Sequence, residues 1–75
     1  MSGIVKRSVA ISGHMTSISL EDAFWRQLKA IARQRDMSLA LLIATVDAAR
    51  NPQSGGLSSA LRVFVLEDAM RRTQP

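Results

Sequence analysis

The sequence predicts a mainly α-helical domain that begins with one N-terminal strand, continues with two helices and ends with a third. Three observations support this fold class. Thr16, Ile18 and Leu20 alternate with Ser17 and Ser19, which is the period of a strand with one buried face. Three later segments repeat their apolar residues at helical spacing, and each follows a serine suited to helix capping. The chain is 47% hydrophobic with only three aromatic residues, a composition typical of an aliphatic helical core.

The chain is short enough to form one domain, and we expect it to associate with a second copy of itself. At 75 residues a monomer buries a modest core and lies near the limit of independent stability. The sequence has no cysteine for a disulfide and no spacing typical of a structural metal site. Association with a second copy is the remaining way to support such a core.

The charge of the chain favours an anionic partner. Its formal net charge is +4, which suits nucleic acid or an acidic protein surface. Lys6 and Arg7 are not followed by a continuous apolar stretch, so we expect no secretory signal. The most apolar run, LALLIA at residues 39–44, is too short to cross a bilayer. We therefore expect a cytoplasmic protein with no membrane partner.

Two segments near the N-terminus have strand periodicity. The first, at residues 5–11, alternates loosely, and the second, at residues 16–20, alternates cleanly. Gly13, between them, either closes a hairpin within one chain or kinks one longer extended segment. We favour the kink, and we assign residues 1–15 to a basic, extended N-terminal arm.

Two helices follow the second strand segment and complete a predicted core at residues 16–49. Ser19 is placed to cap the first helix, which we expect from about Glu21 to Gln34. Ser38 is a good N-cap for the second helix, in the segment LALLIATVDAA. Because that helix is apolar around most of its circumference, we expect it to pack on more than one side.

A linker at residues 50–56 separates the core from a third helix and tail at residues 57–75. Pro52 and the paired glycines of the linker end the second helix. Ser58 or Ser59 then caps the segment ALRVFVLEDAMRR. The β-branched and aromatic residues in its first half leave an extended conformation open, but the charged second half favours a helix.

No combination of residues predicts an enzyme. His14 is the only histidine, cysteine is absent, and no serine lies in a Gly-x-Ser-x-Gly turn. The sequence also lacks a glycine-rich phosphate loop and the spacing of metal ligands. We therefore expect no catalytic residues, no bound metal and no cofactor.

Residues 16–46, TSISLEDAFWRQLKAIARQRDMSLALLIATV, combine a strand, a helix, a short turn and a second helix that starts at a serine, with a defined spacing from Leu20 to Ser38. In these residues and this spacing the chain resembles the ribbon-helix-helix family of DNA-binding proteins, to which Arc and the methionine repressor belong. The chain is similar over a longer range, Lys6 to Glu67, to short ribbon-helix-helix proteins of alphaproteobacteria. The segments with this closer similarity are KRSVAISGHMTSISLEDAFWRQLKAIA, MSLALLIATVDAAR and LSSALRVFVLE.

The resemblance implies an intertwined homodimer. In the family the strand pairs antiparallel with the same strand of a second subunit, and the helices of the two chains interlock. An unpaired strand and two helices with excess apolar surface favour the same arrangement. The residues expected in the dimer core are Ile18, Leu20, Leu42, Ile43 and Val46.

The resemblance also implies that a two-stranded ribbon enters the major groove and that its outer side chains contact base edges. Strand alternation assigns this base-reading role to Met15, Ser17 and Ser19. The family often uses Arg, Lys, Asn or Gln at such positions. Two serines and a methionine depart from that pattern and predict weak sequence specificity. Ser19 would also be withdrawn from base contact if it caps the first helix.

Phosphate contacts are expected at two places. The backbone N–H groups at the start of the second helix, around Ser38 and Leu39, form an anion site of the kind that the family uses. Lys6 and Arg7 form a basic arm that lies along or in a groove of the DNA. Both features are doubled in a dimer.

Two functional hypotheses follow. The first is a homodimeric transcriptional regulator that binds double-stranded DNA through the ribbon and the phosphate contacts. The second keeps the dimer but uses it as a protein interaction adaptor, in which the third helix holds another protein through Val63, Phe64 and Leu66. The partners expected are therefore a second copy, DNA and, in the alternative, a protein.

Overall fold

A computed structural model describes residues 3–51 and 55–73 of the chain. Two strands precede three helices, which confirms the predicted order of a ribbon, two helices and a C-terminal helix. The elements are β1 (Ile4–Ile11), β2 (His14–Glu21), α1 (Asp22–Gln34), α2 (Leu39–Ala49) and α3 (Leu57–Thr73).

The two strands form an antiparallel hairpin within one chain. Ile4 lies opposite Glu21 at the open end of the hairpin, and Ile11 lies opposite His14 at the turn. Ser12 and Gly13 make the two-residue connection, with φ of 50° and 85°. Positive φ at both central residues is the requirement of a type I′ turn, whose twist matches that of the strands.

The interpretation that Gly13 kinks one extended segment is therefore wrong. Residues 4–11 are not a free arm but a strand whose backbone pairs with β2. Gly13 adopts the left-handed conformation without steric cost, and Ser12 adopts it at the cost that a Cβ imposes. The sequence Ser-Gly is a weaker hairpin signal than Asn-Gly or Asp-Gly. For this reason the sequence pattern did not favour a hairpin turn over a kink.

Helix α1 begins where β2 ends, without a side-chain cap. Its N-cap residue is Glu21, in an extended conformation, and no side chain accepts a hydrogen bond there. The prediction that Ser19 caps this helix is wrong because β2 continues for two residues beyond it. The predicted end at Gln34 is confirmed.

The connection from α1 to α2 is a Schellman motif. Asp36 has a φ of 55°, the N–H of Met37 donates to the carbonyl of Ala32 at 3.0 Å, and the N–H of Asp36 donates to that of Arg33 at 3.1 Å. Helix α2 then begins with the predicted cap, since the Ser38 hydroxyl oxygen accepts from the N–H of Leu41 at 3.0 Å.

Helix α3 begins at Leu57, before either serine proposed as its cap. Its buried side chains recur at helical spacing and fill the space beside α1, α2 and β2. The third helix predicted from the sequence is confirmed, and the extended alternative for its first half is wrong. The buried residues of α3 are Leu57, Leu61, Val65 and Asp68.

One core joins the inner face of the hairpin to all three helices. The side chains that are least exposed in it are Ile18, Leu20, Leu28, Ile31, Leu42, Ile43 and Leu61. The opposite side of α3 leaves Val63, Leu66 and Met70 more than half exposed. No helix in the described part of the chain is both long and apolar enough to cross a bilayer.

Candidate nucleic-acid interface

The hairpin has one face packed on the core and one face open to solvent. Cross-strand partners lie on the same face, and alternate residues lie on opposite faces. The inner face contains the buried Ile18 and Leu20, so the residues between them point outward. The outer face consists of the pairs Ile4 and Glu21, Lys6 and Ser19, Ser8 and Ser17, and Ala10 and Met15.

The structure places the three predicted base-reading residues together on this outer face. Met15 is 66% exposed and Ser17 is exposed. Ser19 is half-buried because its backbone is bonded to α3. Its N–H donates to the Ser58 hydroxyl oxygen at 3.0 Å, and its carbonyl accepts from the Arg62 guanidinium at 3.2 Å. Ser19 is therefore the anchored end of the face and not a helix cap.

Lys6 and Arg7 lie on opposite faces of β1 because they are consecutive residues of a strand. Lys6 lies directly opposite Ser19 on the outer face, where it is exposed. Arg7 lies opposite Ile18 on the inner face. Of the two, only Lys6 shares a surface with the predicted base-reading residues.

Arg7 is held inside the molecule by α1. Its Nη2 atom lies 3.2 Å from Oδ1 of Asp22, and its guanidinium lies 4.5 Å from the centre of the Trp25 ring. Only 24% of the side chain is exposed, and its buried Nη1 atom has no hydrogen-bond acceptor among the described residues. These contacts join β1 to α1 through an ion pair and a cation–π interaction.

The predicted anion site at the start of α2 is open to solvent. Ser38 is exposed and Leu39 is half-buried. The first N–H groups of any helix lack an acceptor within the helix. At α2 the Ser38 hydroxyl oxygen accepts from one of these groups, the N–H of Leu41. These groups and the helix dipole favour an anion at this end of α2.

A second polar contact fixes the hairpin to α3. The Nε atom of Arg62 donates to Oε1 of Glu21 at 3.1 Å. A hydrogen bond from the backbone of Glu21 and then the bond from Arg62 hold the pKa of the Glu21 carboxyl below its usual value of 4.5, against a smaller opposing effect of desolvation. Glu21 thus remains ionised and keeps the outer end of β2 attached to α3.

Four of the five residues predicted for a dimer core are buried within a single chain. Ile18, Leu20, Leu42 and Ile43 are at most 1% exposed. Val46 is half-buried and lies against the core. Their burial in one chain fits a hydrophobic core, and their contact with a second subunit stays a prediction.

Val46 also lines the cavity between α2 and α3. This open cavity has a volume of about 440 Å³ and apolar walls formed by Val46, Ala49, Val63 and Phe64. Arg50 and Glu67 also line this cavity.

The outer face of the hairpin contains four residues that the sequence analysis assigned to no site, namely Ile4, Ser8, Ala10 and Glu21. The loose alternation of residues 5–11 was the signal that could have found Ser8 and Ala10.

Comparison with protein-family models gives one match, a ribbon-helix-helix domain over residues 4–69. The match includes the hairpin, both core helices and most of α3. The chain belongs to the ribbon-helix-helix domain family. Members of this family are generally DNA-binding transcription regulators without enzymatic activity, and they typically form dimers. Comparison with curated proteins and with solved structures finds no match.

Proposed function

We propose that this ribbon-helix-helix protein is a homodimeric transcriptional regulator that binds double-stranded DNA with the outer face of its hairpin. The observation that carries the proposal is the exposure of Lys6, Ser8, Met15 and Ser17 on one side of a two-stranded ribbon. The other side of the same ribbon is part of the core. The ribbon therefore has one face free for a ligand and one face that fixes its position.

The dimensions of the ribbon suit the major groove. Paired strands lie about 4.8 Å apart, and the major groove of B-DNA is about 12 Å wide and admits a two-stranded ribbon. Lys6 can donate to guanine O6 and N7, Ser17 can donate to or accept from a base edge, and Met15 can contact a thymine methyl group. Short hydroxyls at Ser17 and Ser19 limit the specificity, so Lys6 is the strongest base or phosphate contact of the face.

Phosphate binding in this proposal comes from Lys6 and from the start of α2 at Ser38 and Leu39. Phosphate binding by Arg7, which the sequence analysis expected, would require its guanidinium to leave Asp22 and Trp25. We therefore assign Arg7 to holding β1 on α1. By contrast, the first N–H groups of α2 need no rearrangement before they meet an anion.

Two observations support the proposed dimer. Members of the family typically form dimers, and one chain leaves several large apolar side chains exposed. Val63, Leu66 and Met70 are each more than half exposed on α3, as is Leu41 on α2. A second copy would remove part of this surface from water. Within the family, we place the chain among the short alphaproteobacterial proteins, and we place its action in the cytoplasm where DNA is accessible.

The proposal is tested by fluorescence anisotropy of the purified protein with a duplex from the promoter of its own operon and with a shuffled duplex, at several salt concentrations. We expect tighter binding to the promoter that persists at physiological salt, and a linear decrease of log affinity with log salt. Equal binding to both duplexes would contradict sequence reading. Absence of binding to either would contradict DNA binding and favour the adaptor, whose apolar contact would be the exposed side of α3.

A further inference from the structure

The net charge of the protein is distributed very unevenly over its surface. Of its ten lysines and arginines, seven form ion pairs with carboxylates. Within residues 3–51 and 55–73, the three cations that form no ion pair are Lys6, Lys29 and Arg33. Lys6 belongs to the outer face of the hairpin, whereas the other two lie on α1. Unpaired cations therefore occur at two places, and the arginines that share Asp22 or Asp68 keep further positive charge because each carboxylate neutralises only one of them.

Lys29 and Arg33 continue a line of cations along α1 that begins with Arg26. Residues three, four and seven positions apart lie on one side of a helix, so these three side chains form one stripe. All three are exposed, and the Arg26 side chain is 67% exposed. The buried side chains of α1 are Leu28, Ile31 and Ala32, and the stripe lies away from them. We call Arg26, Lys29 and Arg33 the α1 stripe.

A single carboxylate, that of Asp22, lies at the N-terminal end of the α1 stripe and forms ion pairs with two arginines. Oδ2 of Asp22 lies 3.0 Å from Nε of Arg26, and Oδ1 lies 3.2 Å from Nη2 of Arg7. Asp22 thus neutralises one of these two charges. Together with Lys29 and Arg33, the group contains four cations and one carboxylate, which is a local charge of +3 in a chain with a formal charge of +4.

The same ion pairs connect the α1 stripe to the hairpin. Arg7 belongs to β1, so Asp22 bridges the ribbon to the beginning of the stripe. From there the stripe extends along α1 by about 10 Å, since seven residues rise by 1.5 Å each. Phosphates of one DNA strand advance by about 3.4 Å along the helix axis per nucleotide, so a stripe of this length can contact more than one of them. Asp36 is the acidic residue nearest to Arg33 in sequence, and it forms no ion pair in the described part of the chain. It therefore does not pair with Arg33.

We infer that the α1 stripe is a second DNA-binding site, which binds the phosphate backbone through Lys29 and Arg33 while the hairpin occupies the groove. This inference rests on the proposed function and extends it to a surface outside the ribbon and the start of α2. The ligand is the sugar-phosphate backbone of double-stranded DNA. Contacts of this kind position a protein and add affinity for every sequence, and they leave the choice of sequence to the base contacts.

The α1 stripe would supply affinity that a ribbon with short hydroxyl side chains provides only weakly. Base contacts from Ser17 and Met15 supply little affinity, and Lys6 is the single cation on the outer face of the hairpin. Each phosphate contact adds counterion release, so two further cations per chain provide four in a dimer. Lys29 and Arg33 need not break an ion pair before they bind.

The test compares Lys29→Gln/Arg33→Gln with the wild type by fluorescence anisotropy on the promoter and shuffled duplexes over a range of salt. The matched control is Arg71→Gln/Arg72→Gln, which makes the same change in net charge at exposed positions of α3, where both arginines contact Asp68. A second control, Lys29→Arg/Arg33→Lys, keeps both charges in place. Circular dichroism and thermal unfolding verify that each variant folds.

We expect the glutamine pair at Lys29 and Arg33 to weaken binding to both duplexes equally and to reduce the salt slope by about 1.8 per bound chain. The charge-exchange variant keeps the wild-type slope, and the Arg71 and Arg72 variant changes it less. An unchanged slope in the first variant, or equal losses in both glutamine variants, would overturn the α1 site while the proposed function stands. A wild type that binds neither duplex would overturn both.

Discussion

Lys6 lies directly opposite Ser19 in the hairpin, and both side chains point away from the core. This pairing joins the one cation of the outer face to the residue whose backbone is fixed on α3 by Ser58 and Arg62. The surface proposed to enter the groove is therefore anchored at the end where its charge is found. A rigid, positioned ribbon loses less conformational entropy on binding than a free arm would.

Lys6 and Arg7 should have separable roles. Lys6→Ala should leave the free energy of unfolding within about 0.5 kcal/mol of the wild type, since the residue is exposed and unpaired. It should also weaken DNA binding and reduce the salt slope by about 0.9. Arg7→Ala should instead destabilise the fold by about 1 to 2 kcal/mol through loss of the Asp22 ion pair and the Trp25 contact.

Urea unfolding and anisotropy titrations of both variants measure these effects. Similar losses of DNA affinity in two equally stable variants would contradict the assignment of opposite faces, because Arg7 would then act as a free cation. A stable Lys6→Ala protein with wild-type affinity would remove Lys6 from the interface.

Ser38 allows helix capping to be separated from phosphate binding. Ser38→Ala should destabilise the protein by about 1 kcal/mol because the N–H of Leu41 loses its acceptor. Ser38→Asp keeps a capping oxygen and suits the helix dipole, so its stability should match the wild type. Its negative charge should nevertheless repel a phosphate and weaken DNA binding. Retained affinity in a stable Ser38→Asp variant would show that DNA does not approach this end of α2.

The ion pair between Glu21 and Arg62 should make stability depend on pH. Because the pKa of Glu21 is lowered on folding, the pair stabilises the protein above pH 4.5, and this contribution is lost as the pH falls through the folded-state pKa. Glu21→Gln should therefore be less stable than the wild type at pH 7, and the difference should shrink at pH 3.

Chemical unfolding at the two pH values measures this difference. Glu67→Gln is the matched control, since Glu67 is an exposed glutamate of α3 that forms no ion pair within the described residues. A difference between wild type and Glu21→Gln that is independent of pH would contradict the role assigned to the carboxylate.

A side chain at Gly13 should destabilise the turn of the hairpin. Its φ of 85° lies in the left-handed region, so Gly13→Ala should cost about 1 to 2 kcal/mol although the space around the position is open. Gly3→Ala, where φ is not in that region and no atom of the described residues lies within 4 Å of the added Cβ, should be nearly neutral. Thermal unfolding checks both. A Gly13→Ala variant as stable as the wild type would contradict the type I′ turn.

The sequence predicted the helices better than the ribbon. Ser38 and the apolar spacing after it specify α2, because a cap and a periodic pattern act locally. The cap predicted for α1 was wrong, since Ser19 has the chemistry of a cap but belongs to β2, where its N–H donates to the Ser58 hydroxyl oxygen. The capping propensity of Ser19 was thus overridden by its hydrogen bond to Ser58, which lies 39 positions away in sequence.

The candidate site was predicted in part for a similar reason. Alternation placed Met15 and Ser17 on the correct side of β2 once Ile18 was assigned to the core. The partner of β2 was predicted wrongly, because either β1 or a second subunit satisfies the same backbone groups and the sequence prediction favoured the second subunit. The burial of Arg7 depends on Asp22 and Trp25 of α1, which no local pattern relates to β1.

The central claim is that DNA contacts the outer face of the hairpin. The most direct test is a titration of the isotopically labelled protein with the promoter duplex, followed through its backbone amide NMR signals. We predict chemical-shift changes concentrated at Lys6, Ser8 and Ser17, with further changes at Leu39. Changes confined to the cavity between α2 and α3, or none at any duplex concentration, would contradict the claim.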